Sequence, residues 1–276
     1  MSPDRRSLRL AVGVAYLAAL AAAIATGLAL PGRHPLLVTA VADVVATLVV
    51  FTASVRHDNS SLYDPFWSVA PVPIVAFWLT LGPTTARGAL AVALVLAWAV
   101  RLTWNCMARW GSLAEEDFRY REIRGKTGRW YWPASLFSIH LFPTAWVFLG
   151  LLPLFPVLAR PAAPPGWLDT VAFLVTAGAI LLEALADLQL RRFVAGRRDP
   201  TERLETGLWA VSHHPNYLGE VLFWWGLWLF GMAAEPGWWW TVVGPLAITA
   251  LFMLVSIPWM DRRLAARHPV HRVTRR

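Results

Sequence analysis

A short run of polar side chains at the start of an apolar segment is the part of this sequence best suited to chemistry. The run reads Ser-His-His-Pro-Asn-Tyr-Leu-Gly-Glu and ends at Glu220, so it offers two imidazoles, an amide, a phenol and a carboxylate. Pro215 suits the first turn of a helix, and His213, Asn216 and Glu220 then recur at helical spacing and can share one face. Glu220 lies about one turn inside the apolar segment, where an ionisable group is costly and indicates a functional site. The alternative is a capped helix start with Glu220 paired to an arginine.

A second polar stripe lies near the end of the preceding apolar segment. Glu183, Asp187 and Arg191 are spaced i, i+4 and i+8, so they line one side of a helix. The arginines that could contact phosphate there through their guanidinium groups are Arg191, Arg192, Arg197 and Arg198. The stripe predicts a polar wall for a charged ligand. The alternative is an Asp187–Arg191 surface pair beside ordinary juxtamembrane arginines.

Other titratable residues carry weaker signals. Asp64, in the run Tyr-Asp-Pro-Phe-Trp, either caps the helix that follows or serves as a proton donor or ligand anchor at the bilayer edge. Residues 115–121 read Glu-Glu-Asp-Phe-Arg-Tyr-Arg, which predicts a mixed-charge helix facing solvent. The neighbouring imidazoles of His213 and His214 diverge by about 100° on a helix, so no metal site is predicted.

These residues must be positioned by helices that cross a membrane. The chain of 276 residues is 57% hydrophobic and 15% charged, which is more apolar than an ordinary soluble domain. Several apolar runs are near the roughly 20 residues that a helix needs to cross hydrocarbon. The runs are Leu10–Leu30, Leu36–Val55, Phe66–Leu81, Gly88–Cys106, Pro133–Leu158, Trp167–Leu182, Tyr217–Met232 and Trp238–Trp259. We therefore predict an all-α, polytopic bundle of about seven or eight transmembrane helices that forms one integral membrane domain over residues 1–276. Phe66–Leu81 is short and contains Pro71 and Pro73, which predicts a kinked or re-entrant segment.

The distribution of basic residues predicts how the chain is oriented. With eight crossings and the N-terminus inside, 21 of the 25 Lys and Arg residues fall in inside segments and only 3 in outside loops. By the positive-inside rule, both termini are then cytoplasmic in a multi-pass protein of the inner or plasma membrane. The net charge of +8 is accounted for by loops that meet anionic lipid headgroups. Membrane lipids are therefore expected partners, and nucleic acid is not.

The polar run before Glu220 also carries a family resemblance. From Gly207-Leu208-Trp209 through the run itself, the sequence resembles the steroid 5-alpha-reductase superfamily, most closely its bacterial branch. The likeness extends over most of the chain and includes the C-terminal steroid reductase domain. The other segments that carry the likeness are Asp64-Pro65-Phe66-Trp67, Glu116-Asp117-Phe118-Arg119-Tyr120, Ala186 to Phe193 and the C-terminal Arg/His-Pro region. The sequence departs from the family at His213, where arginine is commoner. It also shows no clear match to the glutamine-glutamate pair that the steroid enzymes carry near the substrate in their N-terminal half.

The resemblance implies a helical membrane bundle that holds NADPH at its cytoplasmic face. Such an enzyme reduces a carbon–carbon double bond conjugated to a carbonyl in a steroid- or lipid-like substrate, a hydrophobic small molecule taken from the bilayer. The helices of residues 1–106 are expected on the substrate side, and residues 107–276 are expected to bind the cofactor. The residues expected to bind NADPH are Asn216, Glu220, His214, His213, Asp187, Arg191, Arg192, Arg197 and Arg198. The candidates for catalysis near the substrate are Tyr217, Asp64 and Tyr63.

Two other functions compete with the reductase. The related isoprenylcysteine carboxyl methyltransferases have a similar His-Pro-x-Tyr turn and bind S-adenosylmethionine, so a membrane methyltransferase is the main alternative. Asn216 and Glu220 favour the reductase over it. The third interpretation is a non-catalytic lipid-binding or scaffold protein that retains the fold.

Overall fold

The computed structural model describes residues 3–161, 163–197, 199 and 202–267. Over these residues all regular secondary structure is helical, and there is no β-strand. The α-helices are α1 (Pro3–Ala29), α2 (Pro35–Arg56), α3 (Phe66–Val69), α4 (Pro71–Leu79), α5 (Ala86–Arg109), α6 (Phe118–Thr127), α7 (Tyr131–Ser135), α8 (Phe142–Leu151), α9 (Leu154–Ala159), α10 (Trp167–Gly196), α11 (Leu208–Val211), α12 (Pro215–Ala234), α13 (Val243–Leu251) and α14 (Ile257–Arg267). The segments Ser60–Tyr63, Gly128–Trp130 and Pro236–Val242 are 3-10 helical, and Leu136–Leu141 and Phe252–Ser256 are π-helical. The predicted all-α class is confirmed.

Eight stretches within the described residues are long and apolar enough to cross a membrane. They are Asp4–Ala29, Pro35–Arg56, Ser60–Leu79, Ala86–Arg109, Phe118–Leu151, Trp167–Gly196, Pro215–Ala234 and Pro236–Arg263. Each of them overlaps one of the eight apolar runs found in the sequence. The predicted polytopic helical bundle is therefore confirmed.

The third of these stretches is broken, as its prolines predicted. It begins with the 3-10 segment Ser60–Tyr63, continues as α3 and restarts as α4, whose first residue is Pro71. Proline has no N–H to donate, and its ring clashes with the preceding turn of a helix. The break places Tyr63 and Asp64 at the junction between the 3-10 segment and α3 rather than inside a regular helix.

The chain divides into two compact units. The first consists of Met1–Phe148 and Leu158–Pro161, and the second consists of Leu149–Val157 and Ala162–Arg276. The functional division near residue 107, with a substrate side before it and a cofactor side after it, stays a prediction.

The core of the first unit packs α1 and α2 around the broken third stretch. Ala19 of α1 and Ala46 and Val50 of α2 form one buried cluster with Tyr63 and Phe66. Small residues at a contact between membrane helices let their backbones approach closely. As a result Tyr63, one of the predicted catalytic residues, is only 3% exposed.

The second unit depends on a close approach of α10 and α12 at two glycines. A Cβ added to Gly226 would lie 2.2 Å from Thr176 Oγ1 and 3.0 Å from Thr176 Cα, and one added to Gly219 would lie 2.4 Å from Glu183 Cγ and 2.9 Å from Ala179 O. The two glycines are seven residues apart, so they lie on one face of α12. Because no side chain fits between the helices there, the polar residues of α10 and α12 are held next to one another.

Replacing Gly226 with alanine tests this contact. We expect Gly226→Ala to lower the midpoint of thermal unfolding in detergent, because over-packing of a tight contact costs about 1–3 kcal/mol. The matched control is Gly178→Ala on α10, where an added Cβ meets nothing within 4 Å and alanine should stabilise the helix by roughly 0.5–1 kcal/mol. Equal responses of the two variants would contradict the close contact.

Candidate functional site

The turn before α12 is held against α10 by hydrogen bonds. Gly207 has a φ of 62°, a conformation that favours glycine, and an added Cβ would lie 2.8 Å from Gln189 Oε1. The Leu208 N–H donates to Gln189 Oε1 at 3.0 Å, and the Trp209 Nε1–H donates to Ala186 O at 3.1 Å. These contacts fasten α11 to α10 immediately before α12 begins.

A stack of rings orients the first turn of α12. Pro215 is the first residue of this helix, as predicted, and His214 precedes it. The imidazole Nε2 of His214 lies 2.8 Å from Asp261 Oδ1, and its ring stacks on Tyr217 at a centroid distance of 5.2 Å. The Tyr217 ring in turn lies 5.0 Å from the ring of Phe252. Asp261 was not predicted, because it is 47 residues from His214 in the chain and no local pattern connects them.

The polar face of α12 contains a buried acceptor that has no donor. Asn216 Oδ1 is buried and accepts no hydrogen bond from any residue that the structure describes. Glu220 is 4% exposed and accepts from Trp224 Nε1 at 2.8 Å, while Glu183 of α10 is 2% exposed and packs on Gly219. An unsatisfied buried acceptor costs about 1–3 kcal/mol and calls for an explanation in a native protein. A ligand that donates an N–H or O–H would satisfy this acceptor.

The predicted stripe on α10 runs from the interior to the surface. Glu183 is 2% exposed and Asp187 is 6% exposed, whereas Arg191 is exposed. All three belong to one helix, which continues to Gly196. The stripe therefore joins a buried acidic end to an exposed basic end.

The remaining predicted basic residues lie at the surface. Arg192, Arg197 and His213 are exposed, and Arg198 lies outside the described residues. Exposed guanidinium groups near a helix end can form bidentate hydrogen bonds with phosphate. Their exposure is compatible with the predicted phosphate contacts, which stay a prediction.

In the first unit, Tyr63 belongs to a short chain of buried hydroxyl groups. Its phenol oxygen lies 2.7 Å from Thr144 Oγ1, which lies 2.8 Å from Thr47 Oγ1. Thr144 also donates to the carbonyl oxygen of His140 at 2.8 Å. These bonds hold the phenol of Tyr63 in one orientation within an apolar core.

Asp64 does not cap the helix that follows it. The residue before α3 is Pro65, and no side chain caps this helix. Asp64 instead accepts a hydrogen bond from the hydroxyl group of Tyr120, so it joins the third stretch to α6. The capping interpretation is therefore wrong, because the 3-10 turn aims the carboxylate at α6 rather than along α3.

The segment Glu115–Arg121 does not simply face solvent. Glu116 Oε1 accepts from the Ser60 N–H and from the Tyr131 hydroxyl, each at 2.9 Å. The N–H of Asp117 donates to Ser61 Oγ at 2.9 Å. The prediction of a solvent-facing helix is wrong for these residues, because the buried 3-10 segment offers donors and acceptors that draw them inward.

Sequence reasoning missed one buried carboxyl group. Asp43 of α2 is 6% exposed. It lies one helical turn from Thr47, the last member of the hydroxyl chain that starts at Tyr63. Its position inside the apolar run Leu36–Val55 is the same signal that identified Glu220, so the sequence alone could have revealed it.

The structure thus brings the predicted residues together in two groups, one within each unit. The first unit contains Tyr63 and Asp64, and the second contains Tyr217 and the predicted cofactor residues that the structure describes. That the two groups serve one reaction stays a prediction.

Comparisons with known proteins identify a family for this chain. Residues 50–272 match the family described as "Protein of unknown function (DUF1295)". An uncharacterized protein of Schizosaccharomyces pombe is 27% identical in an alignment of 266 residues. The alignment covers 87% of this chain and 77% of the yeast protein. No solved structure matches the chain.

Replacing Asn216 with leucine tests whether its buried oxygen serves a ligand rather than the fold. We expect Asn216→Leu to leave the thermal stability of the ligand-free protein unchanged or raised, because it removes an unsatisfied acceptor. The control is Asn59→Leu, where the amide donates to Leu113 O at 2.7 Å and to Glu115 O at 3.0 Å, and where a loss of about 1–3 kcal/mol is expected. A comparable loss in Asn216→Leu would show that Asn216 stabilises the fold.

Proposed function

We propose that this chain, which belongs to the family described as "Protein of unknown function (DUF1295)", is a membrane-embedded, NADPH-dependent reductase. The proposal draws on the resemblance of its His-Pro-Asn-Tyr-Leu-Gly-Glu run to the steroid 5-alpha-reductase superfamily. Its reaction would saturate a carbon–carbon double bond conjugated to a carbonyl in a steroid- or lipid-like substrate. The protein would thus be an oxidoreductase that acts on CH–CH groups.

The observation that carries this proposal is the buried amide oxygen of Asn216, which has no donor among the described residues. The same helix and α10, which packs on it at Gly219, carry two other acceptors, the buried carboxyl groups of Glu220 and Glu183. Ionised carboxylates accept hydrogen bonds and do not donate them. A site of this composition favours a ligand rich in N–H and O–H donors, as the ribose and carboxamide groups of NADPH are.

The arginines of α10 would provide the opposite end of the cofactor site. Arg191, Arg192 and Arg197 are exposed at and beyond the end of the acidic stripe, and Arg198 is proposed to act with them. Guanidinium groups recognise phosphate by paired hydrogen bonds, which suits the diphosphate and 2′-phosphate of NADPH. NADPH would supply the hydride for the substrate, while the protein positions it and excludes competing reactions.

A buried hydrogen-bond donor would polarise the carbonyl of the substrate. When a conjugated double bond receives a hydride, negative charge develops on the carbonyl oxygen, and a fixed donor in a dry site stabilises that charge. Tyr63 is buried and bonded to Thr144, and its phenol would serve as this donor by turning its O–H from Thr144 to the carbonyl oxygen of the substrate. Asp43, if protonated, would offer a second O–H one helical turn from Thr47. Asp64 and Tyr217 remain candidates near the substrate, each already oriented by a neighbouring ring or hydroxyl.

The predicted orientation of the chain is compatible with these proposed roles. We propose that the basic loops and both termini are cytoplasmic, as the distribution of Lys and Arg indicates. A water-soluble cofactor would then reach the arginines of α10 from the cytoplasm, and an apolar substrate would enter sideways from the bilayer.

Cofactor titration tests the proposal directly. We expect NADPH to raise the midpoint of thermal unfolding of the purified protein, since a ligand at 100 times its dissociation constant stabilises by about 2.7 kcal/mol. Asn216→Ala and Glu220→Gln should remove most of the shift; the glutamine retains an acceptor for Trp224 Nε1, so that variant should still fold. The matched control is Leu218→Ala, whose side chain lies between them on α12 but is 48% exposed, and which should respond as the unaltered protein does.

Two outcomes of the same titration would overturn the reductase proposal. Stabilisation by S-adenosylmethionine in place of NADPH would establish the methyltransferase instead. No response to either compound would favour a lipid-binding or scaffold protein. A shift that persists in both Asn216→Ala and Glu220→Gln would remove these residues from the cofactor site.

The preference for NADPH over NADH tests the role of the arginines. Because only NADPH carries the 2′-phosphate, we expect alanine at one or more of Arg191, Arg192 and Arg197 to lower the ratio of NADPH to NADH affinity about tenfold, which corresponds to roughly 1.4 kcal/mol. The control is Arg33→Ala, an exposed arginine in a loop predicted to lie outside. An unchanged ratio in all three variants would exclude these arginines from recognition of the 2′-phosphate.

A further inference from the structure

A continuous chain of hydrogen bonds runs from the surface of the first unit into its apolar interior. Glu116 Oε1 bonds to the hydroxyl of Tyr131 at 2.9 Å, Tyr131 bonds to Ser60 Oγ at 2.6 Å, and Ser60 Oγ lies 2.8 Å from Ser135 Oγ. Ser135 Oγ lies 3.5 Å from Nδ1 of His140. We infer that these five side chains form a proton path, with Glu116 as its entrance and His140 as its inner end.

The entrance is suited to collecting protons. The side chain of Glu116 is 9% exposed, so one part of it meets solvent while Oε1 faces the path. Arg124 lies 3.3 Å from Glu116 Oε1, stacks over the ring of Tyr131 at 3.9 Å and forms an ion pair with the exposed Asp58 at 2.8 Å. This arginine holds the carboxylate and the phenol together at the mouth of the path.

The middle of the path consists of groups that can carry a proton in either direction. A hydroxyl group both donates and accepts, and the bonds from Ser60 to Tyr131 and Ser135 have no fixed donor. Ser60 and Ser135 are completely buried. A proton can therefore pass along them by reorientation of hydroxyl groups, without water entering the unit.

The inner end has partners for both tautomers of an imidazole. With the proton on Nδ1, His140 donates to Ser135 O at 3.0 Å, and Nε2 accepts from Ser54 Oγ at 3.1 Å. With the proton on Nε2, that nitrogen donates to Ser54 Oγ, and Nδ1 accepts from Ser135 Oγ. A neutral imidazole that is bonded on both sides can take a proton at one nitrogen and release it at the other.

Local backbone geometry is what brings His140 to this position. Residues Leu136–Leu141 form a π-helical turn, in which residues five apart are neighbours, and such turns occur frequently at functional sites. Ser135 and His140 are five apart, so the side chain of one reaches the carbonyl oxygen of the other. The His140 ring is completely buried and lies 5.0 Å from the ring of Tyr63 and 5.1 Å from that of Phe51.

The path would supply the second half of the proposed reduction. In the proposed reduction, a hydride supplied by NADPH would add to the β-carbon and break the double bond, and the electron pair of that bond would form an enolate that takes one proton at the α-carbon. That proton would come from the inner end of the path beside Tyr63, and water at Glu116 would replace it. This use of the path rests on the proposed function, whereas proton conduction by these side chains does not.

Exchange of the His140 N–H with heavy water tests the path without a substrate. The seven histidines of the protein are labelled with ¹⁵N, and the protein is held in lipid nanodiscs. The sample is transferred to D₂O, and NMR follows the loss of each imidazole N–H signal. The signal that is missing in His140→Gln belongs to His140. We expect Tyr131→Phe and Ser60→Ala to slow the exchange of His140 at least tenfold, because each removes one hydroxyl group from the path. The control is Ser68→Ala, which removes a completely buried hydroxyl that bonds to Pro65 O at 2.9 Å outside the path and should leave exchange unchanged.

The direction of the change separates conduction from a structural role. If the hydroxyl groups only hold the helices together, their removal loosens the packing and exchange becomes equal or faster, and that result overturns the proposal. If one of the two variants fails to fold, the exchange rate of the other still tests the proposal, since each variant interrupts the same path. NADPH titration of the same samples keeps the two proposals apart: slowed exchange without NADPH binding retains the path and rejects only its use in a reductase.

Discussion

The close packing of α10 on α12 is the interaction on which the candidate cofactor site depends. At Gly219 and Gly226 the two backbones approach so closely that a Cβ would overlap Glu183 or Thr176. Lipid chains are as apolar as the side chains that face them, so membrane helices associate through tight packing and polar contacts rather than through the hydrophobic effect. The glycines therefore both hold the second unit together and place the carboxyl groups of α10 beside the polar face of α12.

The same environment makes unsatisfied polar groups informative. In hydrocarbon a buried donor or acceptor has no water to bond with, so proteins satisfy such groups internally. The first unit does so extensively, with Glu116, Ser60, Ser135 and His140 in one bonded chain. Asn216 Oδ1 is an exception among the described residues. It lies in a group of residues for which a role in cofactor binding is proposed, so its cost in stability is consistent with a function.

Local patterns predicted a large part of this architecture. Apolar runs located all eight candidate spans, because burial in lipid requires uninterrupted hydrophobicity over a known length. Proline positions predicted the break before α4 and the start of α12, since both follow from the missing N–H. Helical spacing predicted that Glu183, Asp187 and Arg191 share one helix. Local rules failed at Asp64 and Glu116, whose partners belong to other segments.

The sequence by itself determined the fold class, the membrane-spanning stretches and the polar run before Glu220, because composition, periodicity and spacing act over a few neighbouring residues. Only the tertiary structure decided that Asp261 holds His214, that Glu116 turns inward to Tyr131 and that Asn216 Oδ1 has no donor among the described residues. These features depend on which distant segments pack together. Such packing arises from shape and hydrogen bonding in three dimensions, and no local pattern records it.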